Sequence, residues 1–196
     1  NWWHLSLLRC EKRDFARAAE IFDERLWSDA NADMRGDPQV QLNALNLLWR
    51  LETRGQSELA RPRWARVLEG CKGVTLPAGP GARHALQHSD LLLDVLLVRG
   101  LCVQAEANAA PLEAFLAACE AHAQDLGGGE GGAGGRAEAY GSIARHVAEL
   151  YRADRPEASS LEQRARAKKL LRELQEKWSL LGGSEEQRGV LLEAVE

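Results

Sequence analysis

Two histidines one helical turn apart have the spacing of a metal site. His84 and His88 stand at positions i and i+4, which places two imidazoles on one face of a helix, within reach of one zinc ion. A third ligand is required, yet Asp90 does not share that face and the glutamate of an H-E-x-x-H motif is missing. We therefore expect two surface or packed histidines, and no metal or cofactor.

A second candidate for chemistry is the stretch GGSEEQR, which contains Gly182 and Gly183. The two glycines permit the left-handed turn that ends a helix, and Ser184 and Gln187 have the spacing of a reciprocal capping box. A helix N-terminus beside Arg188 could also bind an anion. The structural interpretation explains every residue of the stretch, so we prefer it.

The glycine run GGGEGGAGG at 127–135 could suggest a phosphate-binding loop. Such a loop follows a strand and ends in G-K-S/T, and neither feature is present. Ordered glycines also lose more conformational freedom than other residues. We therefore predict a flexible surface loop at 127–135.

Basic side chains gather on two predicted helical faces. The larger face lies between 164 and 177, and the smaller one contains Arg61, Arg63 and Arg66. Neither has the interleaved exposed aromatic residues that stack on single-stranded RNA. We interpret them as solvated faces or as docking surfaces for an acidic partner, with RNA binding through the larger face as a third hypothesis.

Composition limits the function classes. The 196 residues contain 25 basic and 29 acidic side chains, a net charge of −4, which argues against a general nucleic-acid or membrane-surface binder. No apolar run reaches the roughly 18 residues that a membrane span needs. Four scattered cysteines without a C-x-x-C pair indicate free buried thiols and a cytoplasmic location. The chain begins at Asn1 without Met, so we expect part of a longer protein.

These candidate sites must be held by helices, because Ala, Leu, Glu and Arg are abundant and β-branched residues are scarce. Asp37 followed by Pro38 predicts a helix start, and Pro62 moves the predicted start of the next helix toward Arg61. The most apolar run, LLLDVLLV, is interrupted by Asp94 and predicts the most buried helix. The nine expected helices cover about 2–10, 14–28, 37–54, 57–71, 83–99, a stretch after Asn108, 136–151, a stretch from after the possible caps Ser159 and Ser160 to 181, and a stretch after Ser184, with a polar loop at 31–36.

The opening residues fit the 34-residue tetratricopeptide template. Trp2 and Leu5 have the W-x₂-L spacing, and Ala18 and Phe22 have the A-x₃-F spacing. We therefore predict an all-α fold, an α-solenoid of tetratricopeptide-like antiparallel helix pairs, as a single helical-repeat domain over 1–196. The spacing of the six tryptophans indicates mostly core residues, and Trp27 and Trp64 are the two candidates for an exposed interface.

Three stretches together resemble the tetratricopeptide repeat protein 38 family. They are NWWH at the start, EKRDFARAAEIFDERL in the next helix and LLGGSEEQRGV near the end of the chain. Asn1, Trp3 and His4 match the family's first motif. Its last motif is matched by Gly182, Gly183, Ser184, Gln187 and Arg188. The order and spacing of the three stretches fit the C-terminal half of such a protein.

The resemblance implies a polar cluster of His4, Asp90 and Arg188. The departures are Leu92, where the family has a histidine, and Glu186 and Gly189 in the last motif. If the cluster forms a pocket in relatives, this chain has lost part of it. With Asn1, Trp3, Ser184 and Gln187 it is a candidate binding cluster, and the other interpretation is a set of structural side chains. The leading hypothesis is a protein-binding or assembly scaffold without catalytic activity, whose partner is a protein or a larger assembly. The alternative is a hydrolase-like enzyme that uses this cluster, with His4 as its base.

Overall fold

The computed structural model describes residues 2–71, 90–105, 109–127, 133–152 and 158–196. Helices and turns account for these residues, and no strand occurs among them. The predicted all-α class is therefore confirmed. The chain divides into two compact units, Asn1–Val74 and Thr75–Glu196, each described by itself.

The N-terminal unit contains four α-helices and two shorter helical turns. Helix α1 packs against α2 and α3, and α4 packs against α3 and α2. The elements are α1 Trp2–Glu11, α2 Phe15–Ile21, a π-helical turn Phe22–Leu26, a 3-10 helix Asp29–Gly36, α3 Pro38–Thr53 and α4 Ser57–Cys71.

Helix α3 begins and ends at the predicted signals. The Asp37 carboxylate accepts a hydrogen bond from the backbone N–H of Gln39 at 2.7 Å, and Pro38 occupies the first helical position. Gly55, with φ of +77°, lies in the turn that ends the helix. These local signals need no tertiary contact, so the sequence alone defines this helix.

The segment 14–36 differs from its prediction as one helix followed by a loop. The α-helix gives way to a π-helical turn at Phe22, and the Trp27 backbone N–H donates to the Phe22 carbonyl at 2.8 Å. The predicted loop 31–36 is part of the 3-10 helix. The Trp27 indole N–H donates to the Arg66 carbonyl at 3.3 Å on α4, a tertiary bond that sequence periodicity cannot encode.

The observed burial of three tryptophans differs from the sequence-based expectation. Trp2 is 47% exposed while its neighbour Trp3 is 4% exposed, so Trp3 and not Trp2 is the core residue of α1. Trp27 and Trp64 were the candidates for an exposed interface, but both are buried. Ala18 and Phe22 are buried as the repeat template predicts, and Leu5 is half-buried.

Helix α4 runs through Pro62 without interruption, so the predicted later start near Arg61 was wrong. The side chain of Pro62 is exposed, while Trp64, Val67 and Leu68 on the same helix are buried. Packing of this apolar face stabilises the helix despite the hydrogen bond that proline removes.

The described residues of the C-terminal unit form five α-helices and a 3-10 helix. Every residue from 91 to 102 is buried, as the apolar run predicts. Helix α5 packs against α6 and α7, α7 packs against α6 and α8, and α8 packs against α9. The elements are α5 Leu91–Ala105, α6 Ala110–Gly127, α7 Ala133–Arg152, α8 Ala158–Glu173, a 3-10 helix Gln175–Leu181 and α9 Glu185–Val195.

Several boundaries in this unit differ from prediction. Helix α6 includes Gly127 and α7 begins at Ala133, so the helices extend further into the predicted 127–135 loop than expected. Helix α8 begins at Ala158, ahead of the serines predicted to cap it, and ends at Glu173. The 3-10 helix after it buries Trp178 and Leu181, the apolar residues assigned to the end of α8.

The four cysteines are free and buried, as predicted. Among the helices of the described part, none combines the length and the apolar character needed to cross a bilayer.

Candidate functional site

An open groove in the N-terminal unit contains two of the family-motif residues. Its volume is 390 Å³, at the lower end of the range for ligand pockets. Helix α1 supplies three lining residues, the π-helical turn two, the 3-10 helix two and α3 two. They are Trp2, Trp3, His4, Arg25, Leu26, Asn31, Met34, Val40 and Asn43.

The walls of the groove are apolar and partly exposed. Trp2 is 47% exposed and Met34 is 49% exposed, among the largest exposures of big hydrophobic residues in the described part of the chain. Leu26 and Val40 are half-buried beside them. Exposed aromatic and methionine side chains in a concavity are typical of surfaces that bind other molecules.

Arg25 provides the positive charge of the groove. Its guanidinium lies over the Trp2 ring, 4.9 Å from the ring centroid, in a cation–π contact. Among the described residues Arg25 makes no ion pair with a carboxylate. The guanidinium is thus oriented by the ring, with its N–H groups left for another acceptor.

Trp3 and His4 are in contact at the floor and rim of the groove. Their ring centroids are 4.9 Å apart and the rings are tilted by 74°, an edge-to-face arrangement. His4 is exposed, whereas the Trp3 indole N–H is buried and has no acceptor among the described residues. His4 is therefore the exposed ring of this pair, and Trp3 is the buried one. Asn1, the third residue of the motif, lies outside the described residues.

Asp90 has a structural role at the start of α5. Its carboxylate accepts hydrogen bonds from the backbone N–H groups of Leu92 at 3.0 Å and Leu93 at 3.2 Å. Burial raises the pKa of this carboxyl above its usual range, and the two backbone N–H groups act in the opposite direction. This arrangement is a helix N-cap.

The three remaining motif residues come together at the start of α9. The Ser184 hydroxyl accepts from the Gln187 backbone N–H at 3.2 Å, and the Gln187 amide oxygen accepts from the Ser184 backbone N–H at 2.9 Å. The predicted capping box is therefore confirmed. Arg188 donates to the carbonyls of Gly182 at 2.9 Å and Gly183 at 2.5 Å. These bonds engage the Arg188 guanidinium with its own turn.

His4 belongs to the N-terminal unit, and Asp90 and Arg188 belong to the C-terminal unit. In the N-terminal unit Trp3 and His4 line the groove; in the C-terminal unit Asp90 caps α5, and the last motif forms the start of α9. Arg25, Asn31 and Met34 were missed by sequence reasoning. The one signal for them is Met34, the single methionine of the chain, within a stretch predicted as a polar loop.

A buried polar contact connects α5 and α7. The Tyr140 hydroxyl donates to the Asp94 carboxylate at 2.8 Å, and both residues are fully buried. Burial raises the pKa of the Tyr140 hydroxyl, and the nearby Asp94 charge raises it further. The His122 ring meets the Tyr140 ring edge to face at 5.9 Å. The contact is part of the buried packing between α5 and α7.

A shallow cavity of 300 Å³ lies between α6 and α7. Arg145 and Glu120 both line it and form an ion pair at 2.6 Å across it. An exposed pair of this kind contributes little binding energy, because water screens it. This cavity has no buried polar group and no exposed aromatic residue, so it is a weaker candidate than the groove.

The remaining sequence candidates are less informative. His84 and His88 lie outside the described residues, and within the described ranges no cluster of His, Cys, Asp or Glu could hold a metal ion. On the basic face of α8, burial together with the charges of Arg164 and Arg172 lowers the pKa of Lys168. Arg172 donates to the carbonyl of Val195, which connects this face to α9.

Comparisons of the chain with protein families, curated proteins and solved structures return no match.

Proposed function

We propose that this protein is a helical-repeat module for protein binding or assembly, built from stacked tetratricopeptide-like pairs and related to the tetratricopeptide repeat protein 38 family. The observation that carries the proposal is the groove, where exposed Trp2 and Met34 lie beside Arg25. Tryptophan and arginine are the residues most enriched at the energetic centres of protein interfaces. The free buried thiols favour a reducing compartment such as the cytoplasm.

The packing order of the helices supports stacked pairs. Helix α1 contacts α3, α2 contacts α4, and α5 contacts α7, in addition to the contacts between sequence neighbours. Contacts between each helix and the next but one are expected when helical hairpins stack in series. These contacts lie within each unit, and the groove lies within the N-terminal one.

The chemistry of the groove supports binding over hydrolysis. No serine, threonine, cysteine, aspartate or glutamate is among the residues that line it. His4 thus has no nucleophile to activate within the groove. Asp90 and Arg188 bind backbone groups, which is a structural use of both side chains.

The proposal is tested by affinity capture from native extract with quantitative mass spectrometry. The immobilised protein is compared with Trp2→Ala, which removes an anchor of the groove. The matched control is Leu8→Ala, because Leu8 is 49% exposed on the same helix but does not line the groove. Loss of an interface anchor costs about 2 kcal/mol or more, which is about thirtyfold in Kd.

We expect a partner that the wild type and Leu8→Ala retain and Trp2→Ala loses. Equal retention by all three proteins would reject the groove as the binding surface. Hydrolysis of a chromogenic ester by the wild type that His4→Ala abolishes would favour the enzyme hypothesis instead.

A further inference from the structure

We propose that the groove binds an acidic peptide segment of the partner, in which a bulky apolar side chain stands next to a carboxylate. This inference rests on the proposed binding function and specifies the chemistry of the occupant. It follows from two features of the groove, its apolar walls and the positive charge of Arg25.

The apolar walls select the apolar part of the segment. Trp2 and Met34 expose about half of their surfaces, 47% and 49%, and Leu26 and Val40 extend the same wall. Covering such surface with a leucine or phenylalanine side chain removes apolar area from water. A volume of 390 Å³ suits a few side chains of a segment that lies across the open groove.

The charge of the groove selects the carboxylate. Within the described part of the chain, Arg25 is the charged residue of the lining and no carboxylate is present there. The other polar lining residues are His4, Asn31 and Asn43. An arginine that is stacked on an aromatic ring can form two parallel hydrogen bonds with a carboxylate, and its partial desolvation strengthens them.

Arg25 lies beside the apolar wall, so a carboxylate and an apolar side chain can bind next to each other. Its guanidinium is 4.9 Å from the Trp2 ring centroid, so a carboxylate bound to Arg25 lies beside the aromatic wall. An apolar side chain next to that carboxylate in the segment would contact Trp2 and Met34 at the same time. A basic segment or an uncharged polar segment would satisfy neither Arg25 nor the apolar walls.

The test uses three fluorescein-labelled synthetic hexapeptides and the full chain, with binding measured by fluorescence anisotropy. The acidic probe is Gly-Leu-Glu-Phe-Glu-Gly, its uncharged isostere carries Gln in place of Glu, and a third probe carries Ser in place of Leu and Phe. We expect the acidic apolar probe to bind about tenfold more tightly than either of the others, since each of them lacks one half of the recognition.

Two arginine variants connect this preference to the groove. Arg25→Gln should reduce binding of the acidic probe about tenfold and abolish its advantage over the Gln probe. Arg61→Gln is the matched control, because Arg61 is an exposed arginine of the same unit that does not line the groove, and it should leave both affinities unchanged. Circular dichroism melting curves verify that both variants fold.

Equal affinity for the Glu and Gln probes, or equal loss in the two arginine variants, would overturn the proposed ligand class. Concentration-dependent self-association in sedimentation that Trp2→Ala abolishes would also overturn it, since a second copy would then occupy the groove. Each of these three results would leave the proposed binding function unaffected. That function fails separately, when the capture experiment shows no difference between Trp2→Ala and Leu8→Ala.

Discussion

Trp27 determines how the segment between α2 and α3 is fixed to α4. Its indole N–H donates to the Arg66 carbonyl at 3.3 Å, and its ring is 1% exposed. Arg66 in turn donates to the Trp27 carbonyl at 3.2 Å and pairs with Asp23 at 2.9 Å. Because these bonds hold the segment that carries Arg25 and Met34, the shape of the groove depends on them.

Gly70 is predicted to be required by this contact. A Cβ at position 70 would lie 2.6 Å from Cζ2 of Trp27, and the ring cannot move away without breaking its bond to Arg66. Gly70→Ala should therefore lower the free energy of unfolding by about 1–3 kcal/mol, measured by urea denaturation. Glycine to alanine in an open helical position normally stabilises by up to about 1 kcal/mol.

The matched control is Gly134→Ala on α7, where nothing lies within 4 Å of the added methyl group. We expect no loss of stability there. A Gly70→Ala protein as stable as the wild type would show that the Trp27 ring is free to shift.

Stability should fall at alkaline pH, because burial raises the pKa of the Cys71 thiol to about 12. Below about pH 8.5 the folded and unfolded states both keep this proton. Above it the unfolded chain loses the proton and the folded chain keeps it, so stability is lost as pH rises, by about 1.4 kcal/mol per unit. Burial also raises the pKa of the Cys119 thiol.

The measurement is urea denaturation under reducing conditions between pH 8 and pH 10. Cys71→Ala should have a shallower pH dependence than the wild type. Val67→Ala provides the control, since it removes buried apolar volume from the same helix without removing a titrating group. Identical pH dependence in Cys71→Ala and Val67→Ala would contradict the prediction.

At the scale of elements, local signals define where several helices start but not which side chains become buried. Asp37 with Pro38 and Ser184 with Gln187 mark their helices correctly, because each cap is a hydrogen bond between close neighbours in sequence. The burial of Trp3 in place of Trp2 has a different cause. Successive helical residues point about 100° apart, so choosing the core residue requires the neighbouring helix.

The groove could be predicted only in part for the same reason. Its contribution from α1 lies in a recognisable motif, but Arg25 and Met34 come from a π-helical turn and a 3-10 helix. The π-helical turn is held by the pairs of Asp23 with Arg63 and Arg66 on α4, and the 3-10 helix packs against α3 and α4. Neither was predictable from periodicity.

Pro62 provides a test of how α4 is stabilised. Proline cannot donate to the carbonyl four residues earlier, which belongs to Glu58, so Pro62→Ala should restore this hydrogen bond. We expect a gain of about 1–3 kcal/mol in the free energy of unfolding, reduced by the greater freedom of the unfolded chain. Thermal melting would show the gain as a higher Tm.

Pro38→Ala is the matched control, because Pro38 occupies the first position of α3, where an N–H has no acceptor within the helix. This variant should gain nothing. A Pro62→Ala protein no more stable than Pro38→Ala would indicate that α4 is already distorted around position 58.

At the scale of the whole molecule, each of the two units has its own buried core, and the net charge is −4. The groove lies within the N-terminal unit, and the basic face of α8 lies within the C-terminal unit. Phosphates are attracted by the electrostatic potential summed over all charges of a protein. Because this chain has a net negative charge, it is poorly suited to binding a polyanion despite the local basic face of α8.

The basic face therefore gives a prediction about RNA. A fluorescein-labelled 20-nucleotide oligouridine should show no binding by anisotropy at about 150 mM salt. Reversing charge in Lys168→Glu and Lys169→Glu should change nothing at that salt concentration. Tight binding that falls steeply with salt and disappears in these variants would establish the RNA hypothesis instead.

The Asp94–Tyr140 bond has a consequence for the orientation of α5. Every residue from 91 to 102 is buried, so α5 has no polar side that would face it outward. Apolar packing alone tolerates several rotations of a helix about its own axis. One carboxylate that must meet one hydroxyl on α7 excludes every rotation but one. Together with Arg99, which is also buried and stacks on Tyr151 of α7 at 3.9 Å, this pair would give the apolar helix one rotational setting.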